Sequence, residues 1–260
     1  MKLLNITAKD IFQPLQDDTF STPPPLSLTI LSYMKVSILV PAFNEIATIG
    51  QIIERIKAVK LPIEREIIIV DDYSTDGTRE FLSQLRDEEI RVLFHDQNRG
   101  KGRAIRTAIE DSSGDIILIQ DADLEYDPQE YIQLLEPILH NKASVVYGNR
   151  VIPGVKRSYN RYYWGGRSLT AVTNLLYRAG IHDEPVCYKV FKKEVLNAFR
   201  LKCERFEFCP EFTAKVCKAG YEIYEVPVSY NPRKFYNGKK ITWIDGLQAI
   251  WVLLKYKFVD

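Results

Sequence analysis

The chain has little cysteine, and none of it is spaced for ligation. Four cysteines in 260 residues, Cys187, Cys203, Cys209 and Cys217, form no C-x-x-C pair, and the three histidines, His95, His140 and His182, are scattered. That spacing excludes a zinc site and a disulfide scaffold, so the cysteines read as free thiols of a reducing, cytoplasmic compartment. No apolar run approaches the roughly 18 residues that a spanning helix needs. The opening MKLLNITAKD carries too short an apolar stretch for a signal peptide. No internal repeat is present, and the G-x-x-x-x-G-K-[ST] spacing of a P-loop is missing. A net charge of +1 excludes a strong overall bias toward a charged partner, and nucleic acid is not expected as one.

What is there is an ordinary soluble composition, 46% hydrophobic and 27% charged, long enough to bury a sizeable core. The near-zero net charge hides an asymmetry. Asn149 to His182 holds six basic residues (Arg150, Lys156, Arg157, Arg161, Arg167, Arg178) and no acid. From Asn231 onward six Lys/Arg stand against Asp245 and Asp260. Local positive fields of this kind attract phosphates, although such stretches also serve as solvated faces.

Residues 1–33 read as an extended, poorly ordered appendage, with Asp17-Asp18, Ser21-Thr22 and Pro23-Pro24-Pro25. The folded core is expected from Met34. Val36–Pro41, Glu66–Val70, Arg91–Phe94, Ile116–Ile119 and Val145–Tyr147 read as strands, several as continuous apolar runs buried on both faces of a sheet. Between them, Ile49, Ile52, Ile53, Ile56 and Val59 recur at helical spacing, Asp76 can cap a helix carrying Phe81, Leu82 and Leu85, and Lys101–Ser112 reads as a helix. Pro128 suits the first turn of another. The alternation predicts an α/β fold, a doubly wound, mostly parallel sheet with helices on both faces. Beyond Arg150 a basic, aromatic loop precedes a helix over Ser168–Ala179. Val186–Phe191 reads as a strand, Lys193–Phe199 and Pro210–Ala219 as helices, and Ile223–Ser229 as a strand. Ile241–Phe258 closes the chain as an amphipathic helix.

In open parallel sheets, ligands bind beyond the carboxyl ends of the strands. Three strands deliver acids to that edge: Pro41-Ala42-Phe43-Asn44-Glu45, Asp71-Asp72-Tyr73-Ser74-Thr75-Asp76 and Asp121-Ala122-Asp123-Leu124-Glu125. Such clusters repel one another unless a cation or a donor-rich ligand sits among them. Asp-x-Asp suits Mg²⁺ or Mn²⁺, hard ions held by one or two carboxylates plus substrate phosphates. Capping of the helix near Pro128 is the plainer role for those aspartates. Asp72 can accept from the N–H groups of a base, or serve its own turn. Asn98-Arg99-Gly100-Lys101-Gly102 opens a helix whose N–H groups, with Lys101, can face a phosphate.

Taken together, Val40-Pro41-Ala42-Phe43-Asn44-Glu45, Val70-Asp71-Asp72-Tyr73-Ser74-Thr75-Asp76-Gly77-Thr78, Asn98 to Gly102, and Gly114-Asp115 ahead of Asp121-Ala122-Asp123 resemble the inverting family 2 glycosyltransferases over roughly Val36 to Tyr230. Within them the chain looks most like the dolichyl-phosphate mannose/glucose synthase group. Gly148-Asn149-Arg150 resembles that group's G-[ST]-R element, and Asp183 to Lys189 its D-x-x-x-G-[FY]-[KR] segment, with Cys187 where glycine is usual. Glu211-Phe212 and Glu225-Val226-Pro227-Val228 resemble its later elements.

The resemblance implies the GT-A type of α/β fold. It places a nucleotide-sugar half over about 34–127 and an acceptor half over about 128–230. A C-terminal extension on the acceptor side, 231–260, supplies a basic loop and the amphipathic helix. It implies that Pro41, Phe43, Glu45, Val70 and Asp72 hold the nucleotide, joined by Lys101. Asp121, Ala122 and Asp123 match the diphosphate and metal site, with Glu125 as a further metal ligand. Arg150, Arg161 or Arg167, Ser168 and Lys189 fall on the acceptor side, and Arg233 is a candidate mobile arginine.

The expected reaction moves a hexose from UDP-glucose or GDP-mannose to a polyprenyl or dolichyl phosphate. That acceptor is already anionic, and the acid-free basic stretch from Asn149 to His182 favours it. A hydroxyl acceptor would instead need a base, for which Glu211 or Asp183 are the candidates. A sugar-phosphate nucleotidyltransferase is the alternative of a different class. Such enzymes carry a glycine-rich basic loop after the first strand, where this chain has Pro41 to Glu45. Tyr159, Tyr162, Tyr163 and Trp164, interleaved with arginine, suit a membrane interface, as does the last helix. Peripheral attachment to a cytoplasmic membrane face, a membrane-protein partner or a homo-oligomer follows as an expectation.

Overall fold

The computed structural model of the chain describes residues 34–152, 155, 159–233 and 243–259. Residues 1–33, the Lys156 and Arg157 part of the basic stretch and most of the 231–242 loop lie outside the described residues, as do the side chains of Arg161 and Trp243.

Apolar strands and amphipathic helices alternate in the first half. β1 (Lys35–Ala42), α1 (Ile49–Ala58), β2 (Glu64–Asp71), α2 (Thr78–Gln84), β3 (Ile90–Phe94), α3 (Lys101–Asp111) and β4 (Ile116–Ile119) follow in order. β1 runs parallel to both β2 and β4, and β2 parallel to β3. Ile38, Leu39, Val40, Ile67, Ile68, Ile69 and Ile116 to Leu118 are fully buried, because helices cover both faces and no face needs polar residues. At the amino edge, Ser37 Oγ donates to Glu66 Oε1 (2.6 Å) and Gly114 N–H donates to Ser37 Oγ (2.9 Å). A Cβ at Gly114 would lie 2.6 Å from Ser37 Oγ, so that turn admits only glycine.

The second half adds α4 (Tyr131–Leu139), β5 (Val145–Asn149), α5 (Asn160–Tyr177), β6 (Lys189–Lys192), α6 (Phe208–Lys218), β7 (Ile223–Pro227) and α7 (Trp243–Phe258). Asp127 caps a short 3₁₀ turn with Pro128 at its start, and this leads into α4, as the sequence suggests. The seven strands order as β3-β2-β1-β4-β6-β5-β7, with β6 antiparallel to both neighbours. The mostly parallel α/β expectation holds.

Two boundaries differ by three residues or more at their start. β6 begins at Lys189 rather than Val186. α5 begins at Asn160, so the aromatic segment is helix and not loop; Gly165-Gly166 lowers helix propensity there and hides the period. α7 packs Val252, Leu253 and Tyr256 against Leu169, Val172, Leu176 and Ala214 of α5 and α6.

Candidate active site

The three acidic strand ends converge at the carboxyl edge of β1, β2 and β4. Each is followed by a non-glycine residue in the left-handed region: Asn44 (φ 53°), Tyr73 (φ 67°) and Leu124 (φ 62°). Such backbone costs roughly 1–2 kcal/mol per residue and persists where surrounding bonds hold it. Here those bonds are cross-ties. Asn44 N–H donates to Ser74 Oγ (2.9 Å), Thr75 N–H to Asn44 Oδ1 (2.8 Å) and Glu45 N–H to Thr78 Oγ1 (2.9 Å). Asp76 accepts from the Thr78 and Ile46 N–H groups, so it serves α2 and the β1 loop at once. Pro41 and Phe43 are half-buried at this rim, and Val70, paired with Pro41, is buried beneath it.

Asp72 is not open to a base. It is 3% exposed, and its carboxylate accepts from Arg99 N–H (2.8 Å) and Gly100 N–H (2.7 Å) and pairs with His95 Nδ1 (2.7 Å). The backbone amides expected to face a phosphate are thus spent on Asp72, and they tie the entrance of α3 to β2. Gly100 is required by its φ of +91° and by Glu204 O, which a Cβ would meet at 2.6 Å.

Lys101, the first residue of α3, reaches Asp121 Oδ1 at 2.5 Å. Burial pushes the Asp121 carboxyl up, but the charge of Lys101, with its hydrogen bond and that of Cys187, holds it below the ordinary range. The Cys187 thiol, 5% exposed and 3.8 Å from Lys101 Nζ, is itself pushed well up, by burial first and by Asp121 second. Ala122 is buried between the two aspartates.

Asp123 Oδ1 accepts from Glu125 N–H (3.1 Å), and Oδ2 lies 2.9 Å from Arg233 Nη2. The same Nη2 lies 2.8 Å from Glu45 Oε1. One guanidinium therefore spans the ends of β1 and β4. Glu125 faces away: Oε2 accepts from Tyr230 O–H (2.7 Å) and Oε1 from Arg233 N–H (2.9 Å).

On the far side, Arg150 makes a two-pronged pair with Asp183, Nε to Oδ2 at 2.7 Å and Nη2 to Oδ1 at 2.8 Å. Its guanidinium lies 4.9 Å from the Tyr230 ring centre and 5.8 Å from that of Tyr126. Burial opposes both charges, yet Arg150 holds Asp183 below the ordinary carboxylate range. Arg167 donates to His182 O (2.8 Å), and Ser168 is exposed on α5. Arg161 sits on the first turn of that helix.

Two expected site residues are elsewhere. Lys189 is fully buried, with Nζ donating to Glu184 O and Val186 O over the Tyr147 ring, so it offers an acceptor phosphate no surface. Glu211 is also fully buried. It accepts from Lys202 N–H, Cys203 N–H and Lys215 Nζ; burial raises its carboxyl, but these bonds bring it below the ordinary range. A carboxylate so enclosed has no face for a substrate proton.

Tyr126 and Tyr230, which flank Arg150, are not singled out by the sequence, and Glu225, quoted there only as part of a later element, ties His182 and Asp183 through their N–H groups (2.8 and 3.1 Å). The signal for the two tyrosines is position: Tyr126 directly follows Asp121–Glu125, and Tyr230 lies two residues beyond Glu225–Val228.

Among the described residues no cluster of three or more His, Cys, Asp or Glu is arranged to cage a metal. The donor set nonetheless fits a hard divalent ion that takes most of its oxygens from water and phosphate. Asp121 and Asp123 are the carboxylates that would hold it, and the Arg233 guanidinium already stands as a cation beside Asp123. Glu125, the further ligand expected from the sequence, lies on the same loop with its oxygens accepting from Tyr230 O–H and Arg233 N–H.

The chain belongs to glycosyl transferase family 2, whose family model matches residues 37–200. It is 29% identical over 205 residues to the low-salt glycan biosynthesis hexosyltransferase of Haloferax volcanii, covering 76% of this chain and 48% of that one. It is 26% identical over 234 residues to the dolichol-phosphate mannosyltransferase of Pyrococcus furiosus, covering 86% and 65%. The chain thus spans about half to two-thirds of the length of these curated relatives. The crystal structure of Mycobacterium tuberculosis glucosyl-3-phosphoglycerate synthase with Mn²⁺, uridine diphosphate and glucosyl-3-phosphoglycerate superposes with a TM-score of 0.66 at 20% identity, over 92% of this chain and 86% of that one. That likeness is one of fold, the GT-A type expected from the sequence.

Proposed function

We propose that the chain is an inverting, metal-dependent hexosyltransferase. It takes the sugar from a nucleotide-sugar donor of the UDP-glucose or GDP-mannose type and passes it to a polyprenyl or dolichyl phosphate. The observation that carries this reading is the acidic rim, where Glu45 and Asp123 stand close enough to share one guanidinium. Asp121 and Asp123 would hold Mg²⁺ or Mn²⁺, which would supply charge neutralisation for the departing nucleoside diphosphate. Pro41 and Phe43 form the floor for the nucleotide with Val70 packed beneath them, and Lys101 stands by Asp121 to meet the diphosphate. Asp72 acts indirectly, by fixing the turn that aims Lys101.

The acceptor enters beside Arg150, Arg161, Arg167 and Ser168. Attack on a sugar carbon of oxocarbenium character needs a base only when the nucleophile carries a proton. Asp183 is clasped by Arg150 and Glu211 is enclosed, which favours a phosphate acceptor over a hydroxyl. Contact with the lipid is peripheral in this reading. No described helix is long and apolar enough to cross a membrane, but α7 exposes Ile244, Leu247, Trp251, Leu254 and Phe258 at helical spacing.

Incubation with labelled nucleotide sugars, Mn²⁺ and polyprenyl-phosphate vesicles tests the proposal. Label is expected in the lipid fraction and to be lost with chelator. Transfer only to a hydroxyl acceptor, or turnover of a nucleoside triphosphate with a sugar phosphate, would sink it.

A further inference from the structure

The guanidinium of Arg233 lies between two carboxylates of the acidic rim. Its Nη2 is 2.9 Å from Asp123 Oδ2 and 2.8 Å from Glu45 Oε1, and its side chain is 18% exposed. Its backbone is fixed as firmly as its head. Arg233 N–H donates to Glu125 Oε1 (2.9 Å), Tyr230 O–H to Glu125 Oε2 (2.7 Å) and Asn231 N–H to the Glu125 carbonyl (2.9 Å). The acid three residues beyond Asp121-Ala122 therefore grips the 230–233 segment from both ends.

We propose that Arg233 is a built-in cation plug: it neutralises Asp123 and Glu45 in the donor-free protein and must withdraw before a divalent ion can take Asp123. Glu125 is the post on which the plug is mounted. This rests on Asp123 being a metal ligand in the proposed transferase.

The physical basis is competition for one oxygen. Acids at the ends of β1 and β4 repel each other unless a cation lies between them. Arg233 satisfies them with a single, tethered charge. A divalent ion brings twice the charge, but it can use Asp123 Oδ2 only in the fraction of molecules where the guanidinium has left. The apparent dissociation constant is then the intrinsic one divided by that fraction. A plug seated about nine-tenths of the time weakens metal binding by about tenfold. Arriving diphosphate favours withdrawal as well, since its oxygens complete the coordination that two carboxylates leave open. Cation and donor then bind together better than either alone.

The test titrates Mn²⁺ into the full chain without nucleotide and follows the free-ion electron paramagnetic resonance signal. Circular dichroism and melting confirm that each variant is folded. Arg233→Ala is expected to bind Mn²⁺ about tenfold more tightly than the unmodified chain, and Arg233→Lys, which keeps a charge on a different stem, to fall between. Glu125→Ala should also tighten binding, because it frees the plug, whereas loss of a true ligand would weaken it. Mn²⁺ binding that is unchanged or weaker in folded Arg233→Ala overturns the inference. Weaker binding in folded Glu125→Ala overturns the post. The transferase reading is judged separately, by donor-dependent transfer in the unmodified chain, and survives if only the plug fails.

Discussion

The two halves of the sheet are built by different means. In β1, β2 and β4 the core is branched aliphatic, the strands are parallel and charged groups stay at the ends. In the half that follows, the fully buried side chains include Tyr131, Tyr147, Tyr188, Phe191, Phe208 and Phe212, with Lys189, Glu184 and Glu211 enclosed among the polar ones. Phe212 touches four aromatic rings, those of Tyr147, Phe191, Phe199 and Phe208. The first half is held mainly by non-directional burial of aliphatic side chains, with Glu66, Asp71 and Asp72 enclosed at the two ends of its strands. The second half encloses Asp183, Glu184, Lys189, Glu211 and Lys215 among aromatic rings, away from the strand ends of the first. That contrast is why the sequence motifs of the first half landed on a rim, while Glu211 and Lys189 of the second proved to be framework.

The largest effect expected from this contrast lies on the rim. Asp123→Ala should lower Mn²⁺-dependent transfer by about a thousandfold while the melting temperature barely moves. Equal losses of stability and activity would erase the distinction between the halves. Next in size is Arg150→Ala, which leaves Asp183, 3% exposed, without its partner. Removing one member of such a pair costs about 3–5 kcal/mol, to be read from urea unfolding. A cost near zero would mean that the second half does not depend on its enclosed charges.

A smaller effect concerns the polar cluster under the first half. Burial alone would raise Glu66, but Ser37 O–H, Ser113 N–H and Lys35 together bring it down to about 2 from an ordinary 4.5. Its contribution, about 2 kcal/mol, is complete above pH about 4.5 and is lost as pH falls toward 2. Glu66→Gln should flatten that acid limb in a stability profile, and an unchanged limb would assign it to other carboxylates. The smallest effect belongs to α7. Leu247→Ser with Trp251→Ser should change stability by about 0.5 kcal/mol or less. The pair should nonetheless reduce flotation with polyprenyl-phosphate vesicles, and undiminished flotation would remove α7 from the membrane contact.

Legibility followed the same division. Val36–Pro41 and Ile116–Ile119 were readable as strands because a doubly covered parallel strand has one demand, apolar side chains at every position. α5 was legible only from Ser168, since Gly165-Gly166 and the tyrosines before it carry no helical period. The antiparallel placement of β6 between β4 and β5 had no local signal at all, because strand order is set by contacts far apart in sequence. Arg150 and Asp183 were picked out as separate motifs, but nothing in either showed that they clasp each other.

By itself, the sequence determined the family, the α/β alternation and the three acidic strand ends, since strand periodicity and residue spacing are local properties. Tertiary structure decided what each acid does. A carboxylate becomes a cap, an ion-pair partner or a loop tether according to which donors stand within about 3 Å of it. Those donors arrive from elsewhere in the chain: Arg99 and Gly100 at Asp72, Lys101 at Asp121, Arg233 at Asp123 and Glu45, and Tyr230 at Glu125.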